Sequence, residues 1–256
     1  MTPRIQPPRL QPAGLLPVPV TVYGRERGEP WFELGFPGLD PVRPSLDILC
    51  FDHSGSVVAP GGTDPIGRRF LEAKQAIRIV QAWTYTSRPK VAVIHFDQPS
   101  AGNSGAVPLN STHAGRQLAA ALKVPIDAAG SSNLAPSLTV AEELAKAHPD
   151  HDVRFTILSD FQITDLDPET VFKRLADFPG QVHAVLLNAP APPDLAGENI
   201  TITEIAHGDA PGALSAAIHR SLTATRRGRR LSVLHADRTR PSIPPLSPEH
   251  SRKGNR

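Results

Sequence analysis

Cysteine is nearly absent from this chain of 256 residues, and long apolar runs are missing. The single cysteine, Cys50, excludes an internal disulfide framework and a cysteine-based zinc site, and its place within an apolar run predicts a buried side chain. No stretch reaches the ~18 apolar residues that a membrane helix needs. The apolar patch over residues 15–22 is interrupted by Pro17 and Pro19, and no small-residue cleavage site follows it. We therefore expect a cytoplasmic protein.

Motifs of several enzyme classes are also missing. Neither G-x-x-x-x-G-K-S/T nor G-x-G-x-x-G occurs, so nucleotide binding is not supported. A G-x-S-x-G nucleophile elbow is absent, and the histidines show no H-E-x-x-H spacing. These absences weigh against the enzyme classes that depend on such motifs.

Composition divides the chain into three parts. Residues 1–44 hold ten prolines, which predicts an extended and partly disordered segment. Within it, Val18–Gly24 and Trp31–Gly35 flank a charged turn, a pattern typical of a β-hairpin. Residues 45–226 carry regular periodicity and are predicted to form the folded domain. Residues 227–256 are basic, rich in proline and serine and without periodicity, so they are predicted to be a disordered tail.

Charge is unevenly distributed, although the formal net charge is only +2. From Arg226 to Arg256 there are nine Lys and Arg residues against two acids, so the rest of the chain has 18 basic and 23 acidic residues. A mildly acidic folded part weighs against nucleic-acid binding by its surface. Binding of nucleic acid by the basic tail stays open as one alternative function.

Between residues 45 and 226, buried-strand patterns alternate with helical periodicity. Apolar runs predict strands, and apolar side chains at three- and four-residue spacing predict the helices between them. The predicted strands are 46–51, 90–96, 153–159, 182–187 and 200–205, and the predicted helices are 66–86, 113–123, 134–147, 168–177 and 211–225. Such alternation implies parallel pairing with helices on both faces of the sheet, which is a doubly wound, Rossmann-like α/β fold.

The first predicted strand ends in a group of oxygen-bearing side chains. The apolar run Ile48–Phe51 is followed by Asp52, Ser54 and Ser56. In open α/β sheets, ligands bind at the carboxyl ends of the strands, where this group would lie. Carboxylate and hydroxyl oxygens suit Mg²⁺ or Mn²⁺ better than zinc. The group therefore predicts a site for a hard divalent cation.

Two further loops carry oxygen ligands. Ser132 lies in the loop Gly130–Asn133 before a predicted helix, and Asp160 follows directly after a predicted buried strand. Together with Asp52-x-Ser-x-Ser56 and in the same chain order, these elements resemble the metal-ion-dependent adhesion site of the von Willebrand factor A family. The resemblance covers roughly residues 45–226.

The resemblance implies a particular sheet and a particular metal site. The sheet is expected to have about six mostly parallel strands, with an antiparallel edge strand near residues 106–109. The metal is expected to be Mg²⁺ or Mn²⁺, anchored by the first three ligands and bound directly or through water by the last two. The implied ligands are Asp52, Ser54, Ser56, Ser132 and Asp160.

The chain departs from the family pattern at two positions. Ser132 replaces the usual threonine and lacks the methyl group that restricts χ1, so its hydroxyl is less preorganised. Phe161 stands where many members have glycine, and we expect it to narrow the rim of the site or to offer an apolar contact to a ligand. His53, between the first two candidate ligands, is expected to be an exposed linker residue.

The function implied by the resemblance is divalent-cation-dependent protein binding without catalysis. Mg²⁺ readily keeps positions for exchangeable ligands, and an Asp or Glu of a partner protein can fill one. Cytoplasmic members often work beside ATPases, kinases or phosphatases, but no residue here selects one of these partners. The enzyme alternative is a metal-dependent phosphohydrolase with a D-x-D motif. This chain has Ser54 at the second position, so the acid–base carboxylate is missing.

Overall fold

The computed structural model of the protein describes residues 20–22, 32–64, 67–96, 102–126 and 130–230. The strands in these ranges are β1 (Val20–Val22), β2 (Phe32–Leu34), β3 (Ser45–Phe51), β4 (Pro89–His95), β5 (Val107–Pro108), β6 (Asp152–Ser159), β7 (Gln181–Leu187) and β8 (Ile200–Ile205). The helices are α1 (Gly55–Val58), α2 (Arg68–Ala82), α3 (Ala114–Ala121), α4 (Ala135–Lys146), α5 (Pro168–Ala176) and α6 (Ala213–Leu222). None of these helices combines the length and the apolar character needed to cross a membrane.

Six of the strands form one sheet, in the order β5-β4-β3-β6-β7-β8. All neighbours pair in parallel except β5, which pairs antiparallel with β4 at one edge. From β3 the chain first builds outward to β4 and β5 and then returns to add β6 on the other side of β3. The predicted doubly wound α/β fold is therefore confirmed, and so is the antiparallel edge strand near residues 106–109.

β3 lies inside the sheet, between two hydrophobic cores. Its seven residues are all buried, and successive side chains of a strand point to opposite faces. Leu49 and Phe51 pack with residues of α2, α3 and α6 on one face, whereas Ile48 and Cys50 pack with residues of α4 and α5 on the other. A strand covered on both faces is largely apolar, which explains the uninterrupted run before Asp52. The predicted burial of Cys50 is confirmed.

Chain segments outside residues 45–226 also pack against this domain. Leu34 of β2 is buried in the same core as α2 and α6, and β2 pairs antiparallel with β1 where the sequence predicts a hairpin. Arg226 is buried and donates to the carbonyl oxygen of Gly38 at 3.2 Å and to the carboxylate of Asp40 at 3.0 Å. These bonds connect the segment after α6 to the segment before β3. Most of the predicted 1–44 extension and of the 227–256 tail lies outside the described residues.

Two histidines are buried on β7 and α6. His183 is hydrogen-bonded to the hydroxyl of Ser221 and, at 2.8 Å, to the hydroxyl of Thr203. Burial, reinforced by the positive charge of nearby arginines, lowers the pKa of both His183 and His219 to about 4. Both imidazoles are therefore neutral in the folded protein at neutral pH.

We predict that His183 makes the folded protein less stable as the pH falls from 6.5 toward 4. In this window the histidine becomes protonated in the unfolded chain but stays neutral in the folded protein. The free energy of unfolding therefore decreases as the pH falls. His183→Gln removes this effect. When the pH is lowered from 7.5 to 5, the wild type should therefore lose about 2 kcal/mol more free energy of unfolding than the variant does. Urea denaturation of both proteins at the two pH values measures this difference.

Asp47→Asn is a control of opposite sign. Burial raises the pKa of Asp47 to about 6, against the lowering effect of Arg154. The folded protein therefore takes up this proton before the unfolded chain does, and the stability that protonation brings is lost as the pH rises through 6. Relative to the wild type, Asp47→Asn should lose stability as the pH falls. Parallel pH profiles for the wild type and His183→Gln would contradict the role of the histidine.

Candidate cation site at the carboxyl edge of the sheet

The parallel pairing of β3 and β6 brings two of the candidate ligands to the same edge of the sheet. Phe51 lies opposite Leu158, and the backbone N–H of Asp52 donates to the carbonyl oxygen of Leu158 at 3.0 Å. Asp52 and Asp160 each follow directly after the end of their strand. The hydroxyl of Ser159 donates to Oδ2 of Asp52 at 2.6 Å and so joins the two strand ends. Sequence reasoning did not single out this bond.

Asp52 is buried and receives hydrogen bonds on both carboxylate oxygens. Oδ1 accepts the backbone N–H of Ser54 at 2.8 Å, and Oδ2 accepts the hydroxyl of Ser159. Burial raises the pKa of Asp52; the hydrogen bonds from these serines act in the opposite direction, and the negative charge of Asp160 raises it further. Asp160 is the residue after Ser159, so the hydrogen bond from Ser159 sets the two aspartates on adjacent strand ends.

The hydroxyls of Ser54 and Ser56 lie beside each other, with their oxygens 3.0 Å apart. Ser54 is buried, and Ser56 lies in the first turn of the short helix α1. The chain returns to this turn a few residues later, where the backbone N–H of Thr63 donates to the carbonyl oxygen of Ser56 at 3.0 Å. The turn after β3 therefore holds the two hydroxyls next to each other and bonds Ser54 to Asp52.

Asp160 has one satisfied and one unsatisfied carboxylate oxygen. Oδ1 accepts the backbone N–H of Gln162 at 3.1 Å, whereas Oδ2 is buried without a hydrogen-bond partner. Only 2% of the residue is exposed. A buried carboxylate oxygen without a partner costs free energy, so this atom is the clearest place in the site for a bound group.

No arginine or lysine in the described part of the chain forms an ion pair with Asp52 or Asp160. The buried cation that follows this loop in sequence, Arg69, is engaged elsewhere: its guanidinium donates to the carboxylate of Asp64 at 2.6 Å. Within the described ranges, the two buried carboxylates thus have no cationic side chain as an ion-pair partner. A divalent cation would neutralise both.

The donor set fits a hard cation and does not fit a nitrogen- or sulfur-preferring metal. The ranges that the structure describes contain no cluster of three or more His, Cys, Asp or Glu side chains able to hold a metal. A cation here would be held by two carboxylates and by serine hydroxyls, which are oxygen ligands of the kind that Mg²⁺ and Mn²⁺ take. The unsatisfied Oδ2 of Asp160 supplies an available ligand atom.

Ser132 is linked to the same edge through the loop that follows Asp160. Its carbonyl oxygen accepts the backbone N–H of Thr164 at 3.2 Å, and the hydroxyl of Thr164 donates to Oδ1 of Asn133 at 3.0 Å. The third candidate element is therefore attached to the loop that carries the last ligand. The two bonds are made by the backbone carbonyl of Ser132 and the side chain of Asn133.

The helix after Ser132 is capped from a distance. Its N-cap residue, Leu134, forms no side-chain cap hydrogen bond. Instead, the carboxylate of Asp165 accepts the backbone N–H of Leu134 at 2.8 Å and that of Ala135 at 2.9 Å. A carboxylate is favoured at this position because it meets unpaired N–H groups and the positive end of the helix dipole. A cap 30 residues away in sequence leaves no local signal, so sequence reasoning missed it.

Phe161 and His53 differ from expectation. Phe161 is only 4% exposed and packs in the core with α4 and α5, so it is not a contact at the rim. Its φ of 54° lies in the left-handed region, which explains why glycine suits this position. His53 is buried as well, with its ring centroid 5.9 Å from that of His95. The expectation of an exposed linker histidine was wrong.

Known structures share this fold, although the sequence itself matches no family model and no curated protein. A von Willebrand factor type A protein from Catenulispora acidiphila aligns with a TM-score of 0.50 and 13% identity over 78% of this chain and 51% of its own. The pilus adhesin SpaC from Lactobacillus rhamnosus GG aligns with a TM-score of 0.56 and 14% identity over 81% of this chain and 34% of its own. Proximal thread matrix protein 1 from the mussel byssus aligns with a TM-score of 0.50 and 15% identity over 72% and 48%.

These likenesses identify the class of fold. The described part of the chain is a doubly wound α/β domain, and its structural neighbours include von Willebrand factor A domains. The chain spans about a third to a half of the length of these structures.

We predict that Phe161→Gly destabilises the protein although it relieves the left-handed backbone. Loss of a buried phenylalanine costs about 3–5 kcal/mol, whereas the relief of a left-handed residue returns only about 1 kcal/mol. The free energy of unfolding should fall by about 2–4 kcal/mol in chemical denaturation.

Asn188→Gly is the matched control. Asn188 also has a left-handed φ, 52°, but its side chain is exposed. Its Oδ1 accepts only a long, exposed hydrogen bond from the backbone N–H of His207 at 3.4 Å, so its replacement by glycine should change the free energy of unfolding by less than about 1 kcal/mol. If Phe161→Gly were equally neutral, burial of the phenyl ring would not be what holds this turn.

Proposed function

We propose that this protein is a divalent-cation-dependent protein-binding module. In this proposal, Mg²⁺ or Mn²⁺ binds at the carboxyl edge of the sheet, and an Asp or Glu side chain of a partner protein completes its coordination. The proposed ligands are Asp52, Ser54, Ser56, Ser132 and Asp160.

One observation carries this proposal: Oδ2 of Asp160 is buried without a partner, beside a second buried carboxylate whose pKa its charge raises. Burial of like charges without a counter-charge is unfavourable. A bound divalent cation removes both costs at once, because it supplies the charge and accepts the lone pair of the unpaired oxygen. We therefore assign the cation to the space between the two strand ends.

The same chemistry leaves room for a partner. Mg²⁺ takes six oxygen ligands and usually retains several waters. A bound water can be exchanged for a carboxylate oxygen of another protein, which gives a charge-assisted contact. One of the solved structures with this fold is a pilus adhesin, which is in keeping with a role in protein binding.

We also propose binding without catalysis. Ser54 occupies the position at which a phosphohydrolase of similar fold carries its acid–base carboxylate, and no lysine or arginine among the described residues pairs with Asp52 or Asp160. Hydrolysis of a generic phosphate ester that requires Mg²⁺ would favour the enzyme alternative instead. A cytoplasmic location, a partner from an ATPase, kinase or phosphatase system and the role of the basic tail stay predictions.

We predict that Asp160→Asn has opposite effects with and without Mg²⁺. With EDTA, the variant should be at least as stable as the wild type, because it removes one of two repelling buried charges. With saturating Mg²⁺, the wild type should be the more stable protein, since a ligand at about 100 times its Kd adds about 2.7 kcal/mol to the free energy of unfolding. Thermal unfolding of both proteins under both conditions measures this reversal.

The control is Asp194→Asn, a conservative change in the loop after β7 that leaves the site intact. Its melting temperature should respond to Mg²⁺ as that of the wild type does. A wild type whose melting temperature is the same in Mg²⁺ and in EDTA would overturn the cation site.

We predict that partner binding requires the cation and Asp52. Capture of binding proteins from source lysate should succeed with Mg²⁺ and be lost with EDTA or with Asp52→Ala, because each change removes the ion that the partner carboxylate would bind. Quantitative mass spectrometry of the captured proteins measures this dependence. Binding that is unchanged in all three conditions would contradict the proposal.

A further inference from the structure

We infer that Asp165 is a positioning residue for the cation site. Together with Thr164, it holds the Ser132 loop against the strand end that carries Asp160. The inference rests on the proposed function, because Ser132 matters to the cation only if the cation binds there. Neither Asp165 nor Thr164 belongs to the proposed ligand set.

Four hydrogen bonds join these two residues to the four consecutive residues 132–135. The backbone N–H of Thr164 donates to the carbonyl oxygen of Ser132 at 3.2 Å, and its hydroxyl donates to Oδ1 of Asn133 at 3.0 Å. The carboxylate of Asp165 accepts the N–H groups of Leu134 and Ala135 at 2.8 and 2.9 Å. Each of the four residues is thus bound once, so the segment cannot shift along the loop without breaking several bonds.

The segment that ends in Thr164 and Asp165 begins at Asp160, which is one of the proposed ligands. Oδ1 of Asp160 accepts the N–H of Gln162, and Phe161 is anchored in the core and donates its N–H to the hydroxyl of Ser159 at 2.8 Å. The segment from Asp160 to Asp165 is therefore held at its start by the sheet edge and at its end by α4. Its length sets the separation between the Ser132 loop and Asp160.

The Ser132 loop needs such support from outside. Ser132 lacks the methyl group that would restrict its own χ1, and Leu134 at the start of α4 receives no side-chain cap from its own segment. The carboxylate of Asp165 accepts two N–H groups at the positive end of the helix dipole, where a carboxylate is favoured. Residues that orient metal ligands in this way typically change affinity by about 10- to 100-fold when removed.

The same loop provides a matched control two residues further on. Asp167 caps the neighbouring helix α5: its carboxylate accepts the N–H of Thr170 at 3.1 Å and the hydroxyl of Thr170 at 2.6 Å. α5 carries none of the proposed ligands. Removal of either cap should destabilise the protein to a similar extent, but only the loss of Asp165 should affect the cation.

The test compares Mg²⁺ binding of the full chain by isothermal titration calorimetry. Asp165→Ala should weaken Mg²⁺ binding about tenfold or more, whereas Asp167→Ala should leave it unchanged. Asp165→Asn keeps one acceptor oxygen and should recover part of the affinity. Thr164→Val, which removes only the bond to Asn133, should have a smaller effect and remains available if Asp165→Ala does not fold.

Hydrogen exchange without Mg²⁺ separates this inference from the proposed function. Asp165→Ala should speed exchange of the amides of residues 132–135, and Asp167→Ala should not. If the wild type binds no Mg²⁺, the proposed function is overturned, and with it the role of Asp165 toward a cation. If the wild type binds Mg²⁺ and both alanine variants bind it equally well, Asp165 is only a helix cap and the inference is overturned while the proposed function stands.

Discussion

The hydrogen bond between Ser159 and Asp52 is the interaction on which the site depends. It exists because β3 and β6 pair in parallel with Phe51 opposite Leu158. A shift of one residue in this register would turn the following side chains to the opposite faces of the sheet. Asp52 would then be buried without its 2.6 Å bond from Ser159, and Asp160 would leave the shared edge. The chemistry of the site is thus a consequence of strand register in a sheet covered on both faces.

Three ion pairs with a buried member lie elsewhere in the described part of the domain, whereas the two carboxylates of the site form no ion pair with a described lysine or arginine. Asp47 lies 3.4 Å from Arg154, Arg69 lies 2.6 Å from Asp64 and Arg226 lies 3.0 Å from Asp40. Such pairing offsets part of the cost of burying an ion, although burial still raises the pKa of Asp47 and Nε and Nη2 of Arg69 are buried without a hydrogen-bond partner. Local conflicts of the kind seen at Asp52 and Asp160 often mark a functional site. This contrast adds to the support that the unpaired Oδ2 of Asp160 gives to the proposed cation.

Much of the fold follows from residue types alone, whereas the support of the site does not. The apolar run before Asp52 predicts a buried strand, because a strand covered on both faces is largely apolar. The helical spacing of residues such as Ala73 and Ile77 predicts an amphipathic helix, because only one face of such a helix is buried. The capping of α4 by Asp165 and the burial of Phe161 in a left-handed turn arise from contacts between distant segments. Neither has a signal in the local sequence.

The sequence by itself determined the α/β class, the burial of β3 and the kind of ligand atoms at its end. These properties depend on residue type and spacing, which local physical chemistry can interpret. Only the tertiary structure decided that Asp52 is bonded to Ser159, that Oδ2 of Asp160 is buried without a partner and that the Ser132 loop is held by Thr164 and Asp165. Such facts depend on which atoms meet across the sheet edge, and that geometry is set by strand order, register and loop length together.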